Sequence, residues 1–229
     1  MKNIYKTISD HYKRDSYSVK DPKLVDYLGP EEHRGEHRGM FTSKQWYDEK
    51  LEGGIPTILH GMTLKHDKLK KYPPLDILDV NDFFFHCRVF SEKAYEIIKK
   101  YTPKGYLMFP INLEYRNEIL PYYAMYFEFD ATRHLDFSII NYDISTSIPN
   151  KKIATYDELL SINRNTETKD YFAVRHESGE PFYLKSEINH SIFMFKHFKS
   201  GLFVNEELKN ELEAKCYGFR FVNVETIYT

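Results

Sequence analysis

Three aspartates near the middle of the chain are the first residues whose type and spacing could do chemistry. Asp130, Asp136 and Asp143 flank a predicted hairpin of residues 122–129 and 135–142, which would gather them at one end of a sheet. Neighbouring carboxylates can share acid and base roles in catalysis. Aspartate is also common in turns, where its side chain bonds to the nearby backbone, and the sequence favours this structural interpretation.

Cysteine and histidine offer a second kind of chemistry. His86 and Cys87 are adjacent, so on a strand they point to opposite faces and do not form a nucleophile–base pair with each other. A distant histidine such as His190 or His197 is left open as a partner for either cysteine, Cys87 or Cys216. We expect both cysteines to be small buried side chains with reduced thiols, although the sequence does not exclude a disulfide between them.

No pattern in the chain indicates a metal ion or another cofactor. His33 and His37 have the four-residue spacing of two metal ligands on a helix, but Gly35 and Gly39 favour an exposed loop and no third ligand is evident. The sequence also lacks the local motifs of serine hydrolases, P-loop NTPases, dinucleotide-binding folds and zinc proteases. This absence is more typical of a protein that works by binding than of an enzyme.

Composition limits the classes of protein that could hold these residues in place. Of the 229 residues, 41% are hydrophobic and 29% are charged, which is typical of a folded globular chain. The formal net charge of −2 gives no overall attraction to nucleic acid or to an anionic membrane. Because no signal-peptide pattern and no apolar run of about 20 residues occurs, we predict a cytoplasmic protein that does not contact a membrane.

The aromatic residues are the unusual part of this composition. The chain has 19 tyrosines and 17 phenylalanines but one tryptophan. Tyrosine and phenylalanine suit half-buried strand faces, so the composition predicts an aromatic-rich sheet. Some of the tyrosines could instead lie on a recognition surface, where an apolar ring with a polar tip is useful.

The strongest break in the chain is Pro73-Pro74. We place a boundary there, between residues 1–75, a poorly readable N-terminal subdomain or extension, and residues 76–229, an α+β domain. Residues 63–71 carry four lysines and are predicted to form a short basic helix. A nucleic-acid-binding module built on that helix is a minor alternative, because such modules usually carry more basic residues.

Two segments, residues 91–113 and 205–225, follow the same plan. Each has a capping residue, Ser91 or Asn205, then a short charged amphipathic helix, then a glycine, Gly105 or Gly218, then a strand. The fold class predicted from this repeat is α+β. We expect a mixed or antiparallel aromatic-rich sheet with a duplicated helix–glycine–strand unit that packs its helices on the sheet.

These two segments resemble a family of bacterial immunity proteins from polymorphic-toxin systems, often labelled immunity protein eleven. The residues that carry the resemblance are Ser-Glu-Lys at 91–93 and Phe-Pro-Ile at 109–111, then Asn-Glu-Glu-Leu-Lys at 205–209 and Gly-Phe-Arg-Phe at 218–221. The resemblance covers roughly residues 76–225 and departs from the family pattern at Val-Asn-Val, residues 222–224.

The resemblance implies a cytoplasmic protein that binds a cognate antibacterial toxin domain and neutralises it by blocking its active site or substrate access. Such a protein is not an enzyme and carries no catalytic residues. As the toxin-binding residues we predict an acidic group before the resembling region, because acidic side chains would speed the capture of a basic toxin domain. The group consists of Glu31, Glu32, Asp48, Glu49 and Glu52.

An enzyme of unrecognised type, with a polar pocket that gathers histidines or carboxylates, is the alternative function. Nucleic acid is not expected as a partner, and homo-oligomerisation is left open by the sequence.

Overall fold

The protein is described here from a computed structural model, and the chain divides into two compact units. The terminal unit comprises Met1–Ile8, Glu128–Glu211 and Phe221–Thr229, and the central unit comprises Ser9–Phe127 and Leu212–Arg220. The residues that the structure describes are 3–9, 17–19, 63–66, 73–78, 87–102, 104–127, 129–140, 142–144, 153–165, 174–176, 180–195 and 201–229. The predicted boundary after residue 75 stays a prediction, because most of residues 1–75 lie outside these ranges.

Strands outnumber helices in the described residues. The strands are β1 (Ile4–Ser9), β2 (Tyr17–Val19), β3 (Thr63–His66), β4 (Ile77–Leu78), β5 (Cys87–Ser91), β6 (Tyr106–Tyr115), β7 (Glu118–Phe127), β8 (Tyr142–Ile144), β9 (Val174–His176), β10 (Phe182–Leu184), β11 (Ile192–Met194), β12 (Leu202–Asn205), β13 (Phe219–Val224) and β14 (Thr226–Tyr228). The helices are α1 (Glu92–Tyr101), α2 (Tyr156–Asn165) and α3 (Glu206–Lys215), with a 3-10 helix at Ala131–His134. The predicted α+β class is confirmed. Among the described helices, none has the length and apolar character needed to cross a membrane.

The central unit contains a six-stranded mixed sheet with the order β2-β3-β6-β7-β5-β4. Its middle is a long hairpin, in which β6 and β7 pair antiparallel from Tyr106 opposite Phe127 to Tyr115 opposite Glu118. The two residues of the turn, Arg116 and Asn117, have φ values of 51° and 69°. Positive φ at both central positions is the backbone of the tight turn whose twist matches that of paired strands.

Helix α1 follows β5 directly and begins at a side-chain cap. The Ser91 hydroxyl accepts a hydrogen bond from the Ala94 N–H at 3.2 Å, which satisfies one of the free donors at the helix start. The helix buries one apolar face, with Ala94 and Ile98 fully inaccessible. Glu92 lies in the first turn and Lys99 in the last, as the helix dipole favours. The helix predicted for the first repeat is therefore confirmed.

The terminal unit contains a four-stranded sheet with the order β11-β12-β1-β13, and two-stranded pairs β10-β14 and β8-β9. Its core is rich in phenylalanine. The Phe182 ring stacks on the Phe195 ring with 4.5 Å between centroids, and the Phe203 ring meets both at steep angles. The predicted aromatic-rich sheet is confirmed, because these rings fill the interior beside β11 and β12.

The two repeats share a topology as well as a sequence plan. In the first repeat, β5 and β6 flank α1 in sequence and flank β7 in the sheet. In the second repeat, β12 and β13 flank α3 in sequence and flank β1 in the sheet. The strand next to each first strand also matches, because β4 pairs antiparallel with β5 and β11 pairs antiparallel with β12. The duplication therefore extends to four strands and one helix in each copy.

Asp76 connects the start of α1 to the turn that follows α3, within the central unit. One carboxylate oxygen accepts a hydrogen bond from the Ser91 hydroxyl, and the other accepts one from the Tyr217 N–H at 2.6 Å. The Asp76 N–H donates to the Tyr217 carbonyl at 2.8 Å. The following Gly218 has a φ of 90°, and a Cβ placed there would lie 2.8 Å from a methyl carbon of Leu75. Only glycine fits this turn without displacing its neighbour.

Two local predictions were wrong. Residues 63–66 form β3, not a helix, because they pair in parallel with Asn112–Glu114 of β6. The predicted hairpin of residues 122–129 and 135–142 does not form, because β7 pairs back with β6 instead. After β7 the chain enters the 3-10 helix, and Leu135 bridges to Leu184.

Candidate binding surface

The acidic residues predicted to bind a toxin, Glu31, Glu32, Asp48, Glu49 and Glu52, lie outside the described residues. Their role as a binding patch stays a prediction. The chemistry-bearing residues that the structure does describe belong to three groups: the aspartates and a tyrosine around the 3-10 helix, two histidines nearby, and a tyrosine-rich surface on the central unit.

Asp130 anchors the 3-10 helix and helix α2. One carboxylate oxygen accepts a hydrogen bond from the Thr132 N–H at 2.9 Å, which caps the 3-10 helix. The other accepts one from the Tyr156 hydroxyl, also at 2.9 Å. Burial raises the pKa of Tyr156 to about 12, with the Asp130 carboxylate acting in the same direction. Tyr156 is therefore a neutral donor, and the Arg133 guanidinium lies 5.1 Å from its ring centroid.

The Asp136 carboxylate accepts hydrogen bonds from Ser138, in the following turn, and from Thr229. One carboxylate oxygen accepts hydrogen bonds from the N–H and the hydroxyl of Ser138, and the other accepts one from the Thr229 hydroxyl at 3.0 Å. The Lys185 ammonium is 3.9 Å away. The hydrogen bonds from Ser138 are the main reason that the pKa of Asp136 is lowered. Asp130 and Asp136 thus have different partners and structural roles, while the Asp143 side chain lies outside the described residues.

Two histidines of the terminal unit contact one phenylalanine. The His190 ring stacks on Phe129 with 3.7 Å between centroids, and the His134 ring is 5.5 Å away at a tilt. The His134 Nδ1 is 2.7 Å from the Ser186 hydroxyl. Burial, and then the nearby His134, lower the pKa of His190, so this ring is neutral near pH 7.

The structure describes only one of the two cysteine side chains for which the sequence left a histidine partner open. Cys216 is a half-buried thiol, whereas His197 and the Cys87 side chain lie outside the described residues. Within the described ranges, no three side chains of His, Cys, Asp or Glu come together as metal ligands would.

The third group lies on one face of the six-stranded sheet. The strand register puts Tyr106, Met108 and Pro110 of β6 on the same side as Phe127, Met125 and Tyr123 of β7. Next to β5 this face is buried, since Phe90, Met125 and Phe127 are almost inaccessible. Toward the hairpin turn it opens to solvent. Pro110 and Pro121 are exposed, and Ile119 is 58% exposed.

The stacked rings of Tyr95 and Tyr123 lie where the buried part of this sheet face meets its exposed part. The Tyr95 ring of α1 stacks on the Tyr123 ring of β7 with 4.4 Å between centroids. Tyr106 forms a side-chain hydrogen bond with Tyr95, and burial followed by this bond raises the pKa of Tyr106 to about 12. We call the whole surface the tyrosine face. It consists of Tyr95, Tyr106, Met108, Pro110, Ile119, Pro121 and Tyr123, together with Asn112 opposite Pro121 and Glu114 opposite Ile119.

Charged residues of α1 line one side of the tyrosine face. Glu92, Glu96 and Lys99 are exposed and lie on the same helical stripe as Tyr95. The pKa of Tyr123 is raised, first by burial and then by the negative charge of Glu92 and Glu96, while Lys99 opposes the shift. The two carboxylates therefore outweigh the lysine at this ring.

This arrangement has the properties of a protein-binding surface. Aromatic residues and methionine are enriched at protein interfaces, and polar side chains, here Asn112 and Glu114, normally accompany them. The sequence left open whether some tyrosines serve recognition but could not say which. The strand register and the incomplete cover of the sheet single out Tyr106 and Tyr123.

No family model matches this chain, and no curated protein matches it at a significant level. The resemblance of the two repeats to immunity proteins therefore stays a prediction.

Proposed function

We propose that this protein is a cytoplasmic immunity protein that binds a cognate antibacterial toxin domain and blocks its active site or its access to substrate. It works by stoichiometric binding and not by catalysis. The observation that carries the proposal is the tyrosine face, a partly exposed group of aromatic, apolar and polar side chains on the six-stranded sheet. The sequence resemblance of the two repeats supports the class of partner.

The physical basis of binding would be the burial of rigid side chains. Pro110 and Pro121 have little conformational freedom to lose, and Tyr123 is already held by its stack on Tyr95. A partner that covers Ile119 would remove a large exposed apolar side chain from water. Such a surface gains affinity mainly because little ordering is required on this side of the complex.

The direct test is co-expression of the full chain with the toxin domain encoded next to it. We expect the cells to be rescued, and we expect the two purified proteins to form a complex of fixed stoichiometry by light scattering. Protection should become complete only when the chain is at least equimolar with the toxin. Rescue at a small fraction of that amount would favour an enzyme, and absence of rescue would contradict the proposal.

A matched pair of substitutions tests whether the tyrosine face is the surface used. Ile119→Glu should weaken toxin binding by about tenfold or more, because it places a charge in a contact that binding would bury. Ile139→Glu is the control, since Ile139 is also an exposed isoleucine, at 46%, but belongs to the terminal unit. Equal affinities for the two variants would exclude the tyrosine face as the binding surface.

A further inference from the structure

We propose that the tyrosine face receives a lysine or arginine side chain of the partner, which lies against the open part of Tyr123 with its charge near Glu92 and Glu96. This inference rests on the proposed function, because it describes the toxin surface that would be recognised. It adds the chemistry of the contact, which the proposed function leaves unspecified.

One ring of the tyrosine pair, Tyr95, already contacts a cation of its own chain. The Lys99 ammonium lies 5.5 Å from the centroid of the Tyr95 ring, within the range of attraction between a cation and an aromatic face. The same ammonium is 3.6 Å from a Glu96 carboxylate oxygen. Both side chains of this ion pair are about half exposed, so the pair is weak and a partner's cation can replace it.

The charge at this position favours a cation over an anion. Glu92 and Glu96 are one helical turn apart and both are exposed. The positive side chains Lys93 and Lys100 are exposed as well and lie within one helical turn of Glu96, but Lys99 is the lysine that contacts the Tyr95 ring. At the Tyr123 ring itself, the two carboxylates Glu92 and Glu96 outweigh Lys99.

The apolar part of the face suits the stem of such a side chain. Lysine and arginine carry three or four methylene groups that prefer apolar contact while the charged end stays near water. Pro110 and Pro121 offer exposed rings beside Tyr123. Arginine fits better than lysine, because its planar guanidinium can stack on a ring and also donate two parallel bonds to a carboxylate.

The test uses the full chain and a synthetic peptide, Ac-Gly-Leu-Arg-Gly-Leu-Arg-Gly-NH2, with a matched peptide in which citrulline replaces arginine. Citrulline keeps the shape of arginine and removes its charge. Binding is followed by the methyl NMR signals of Met108 and Ile119. We expect the arginine peptide to shift these signals and the citrulline peptide to bind about threefold more weakly or worse.

Two substitutions that each remove one negative charge test where the peptide's arginine binds. Glu92→Gln should weaken binding of the arginine peptide about threefold, whereas Glu207→Gln should leave it unchanged. Both glutamates lie in the first turn of a helix, Glu92 as the first residue of α1 and Glu207 as the second residue of α3. The inference is overturned if the two peptides bind equally, if Glu207→Gln has the same effect as Glu92→Gln, or if the methyl signals do not move.

The peptide experiment and the co-expression experiment fail independently. A chain that rescues cells but does not prefer arginine would refute only the inference about the contact. A chain that prefers arginine at Tyr123 but does not rescue cells would refute the proposed function and keep the cation-binding surface.

Discussion

The first and second repeats follow one plan but obtain their middle strand in different ways. In the first repeat the strand between β5 and β6 is β7, which joins β6 through the two-residue turn at Arg116 and Asn117. In the second repeat the strand between β12 and β13 is β1, from the other end of the chain. Ile4 of β1 pairs with Asn205 of β12, about two hundred residues away in sequence.

This difference separates local from long-range stability. A hairpin with a tight turn closes at little entropic cost, so the first repeat contains most of its own sheet. The second repeat needs a distant strand, and the cost of closing such a long loop must be offset by the contacts of β1. Ile4 supplies part of this, because it is buried in the phenylalanine-rich core of the terminal unit.

The largest predicted effect follows from removing β1. We expect deletion of residues 1–9 to lower the free energy of unfolding of the terminal unit by at least about 4 kcal/mol, since it loses a buried isoleucine and a central strand ladder. Hydrogen exchange should show fast exchange at β12 and continued protection at β6 and β7. Adding a peptide of residues 1–9 should restore protection at β12. Unchanged exchange at β12 would mean that β1 is not needed there.

The glycines of the two repeats should respond differently to alanine. Gly105 has a φ of 79° and open space around a new Cβ, whereas a Cβ at Gly218 would lie 2.8 Å from Leu75. Gly105→Ala should cost about 1–2 kcal/mol for the left-handed backbone. Gly218→Ala should cost about 2–5 kcal/mol, because overpacking is added to the same strain. Urea unfolding of both variants measures the difference, and equal costs would show that the Leu75 side chain moves aside.

Replacing the two helix caps should also lower stability by different amounts, and this difference should be smaller than that between the two glycines. Asn205 caps α3 by accepting a hydrogen bond from the Leu208 N–H at 3.0 Å, as Ser91 does for α1. The Ser91 hydroxyl also donates to the Asp76 carboxylate, whereas the Asn205 amide donates to the Ser191 hydroxyl.

Because a bond to a charged acceptor is worth more, Ser91→Ala should cost about 2–3 kcal/mol and Asn205→Ala about 1–2 kcal/mol. Thermal unfolding of the two variants side by side provides the measurement. A reversed order would show that the Asp76 carboxylate finds another donor when Ser91 is lost.

The smallest predicted effect concerns the C-terminal end of the terminal unit. The pKa of Asp136 is lowered in the folded protein, mainly by Ser138 and then by Thr229. A lowered carboxyl pKa contributes stability above the unfolded value, and this stability is lost as the pH falls through the folded value. NMR titration of Asp136 should show the pKa rising more in Ser138→Ala than in Thr229→Ala. The opposite order would show that the hydrogen bond from Thr229 lowers the pKa of Asp136 more than the one from the Ser138 hydroxyl does.

Local sequence determined the parts of each repeat that depend on neighbouring residues. Ser91 and Asn205 are short polar residues before a charged amphipathic run, and each caps its helix. Gly105 and Gly218 follow those helices, and both adopt the positive φ that glycine permits. The α+β class and the aromatic-rich sheet follow from the same local preferences together with composition.

Tertiary structure alone decided which strands pair and which side chains stay in contact with solvent. Nothing near Thr63 distinguishes a strand from a helix, and the outcome depends on β6, nearly fifty residues later. Nothing near Ile4 indicates that it completes a sheet with residues 202–205. The tyrosine face arises in the same way, because strand register decides the face of the sheet on which Tyr123 lies, and the packing of α1 brings the Tyr95 ring against it. Strand pairing and solvent exposure depend on contacts between distant segments, and these contacts cannot be predicted from the local sequence of either segment.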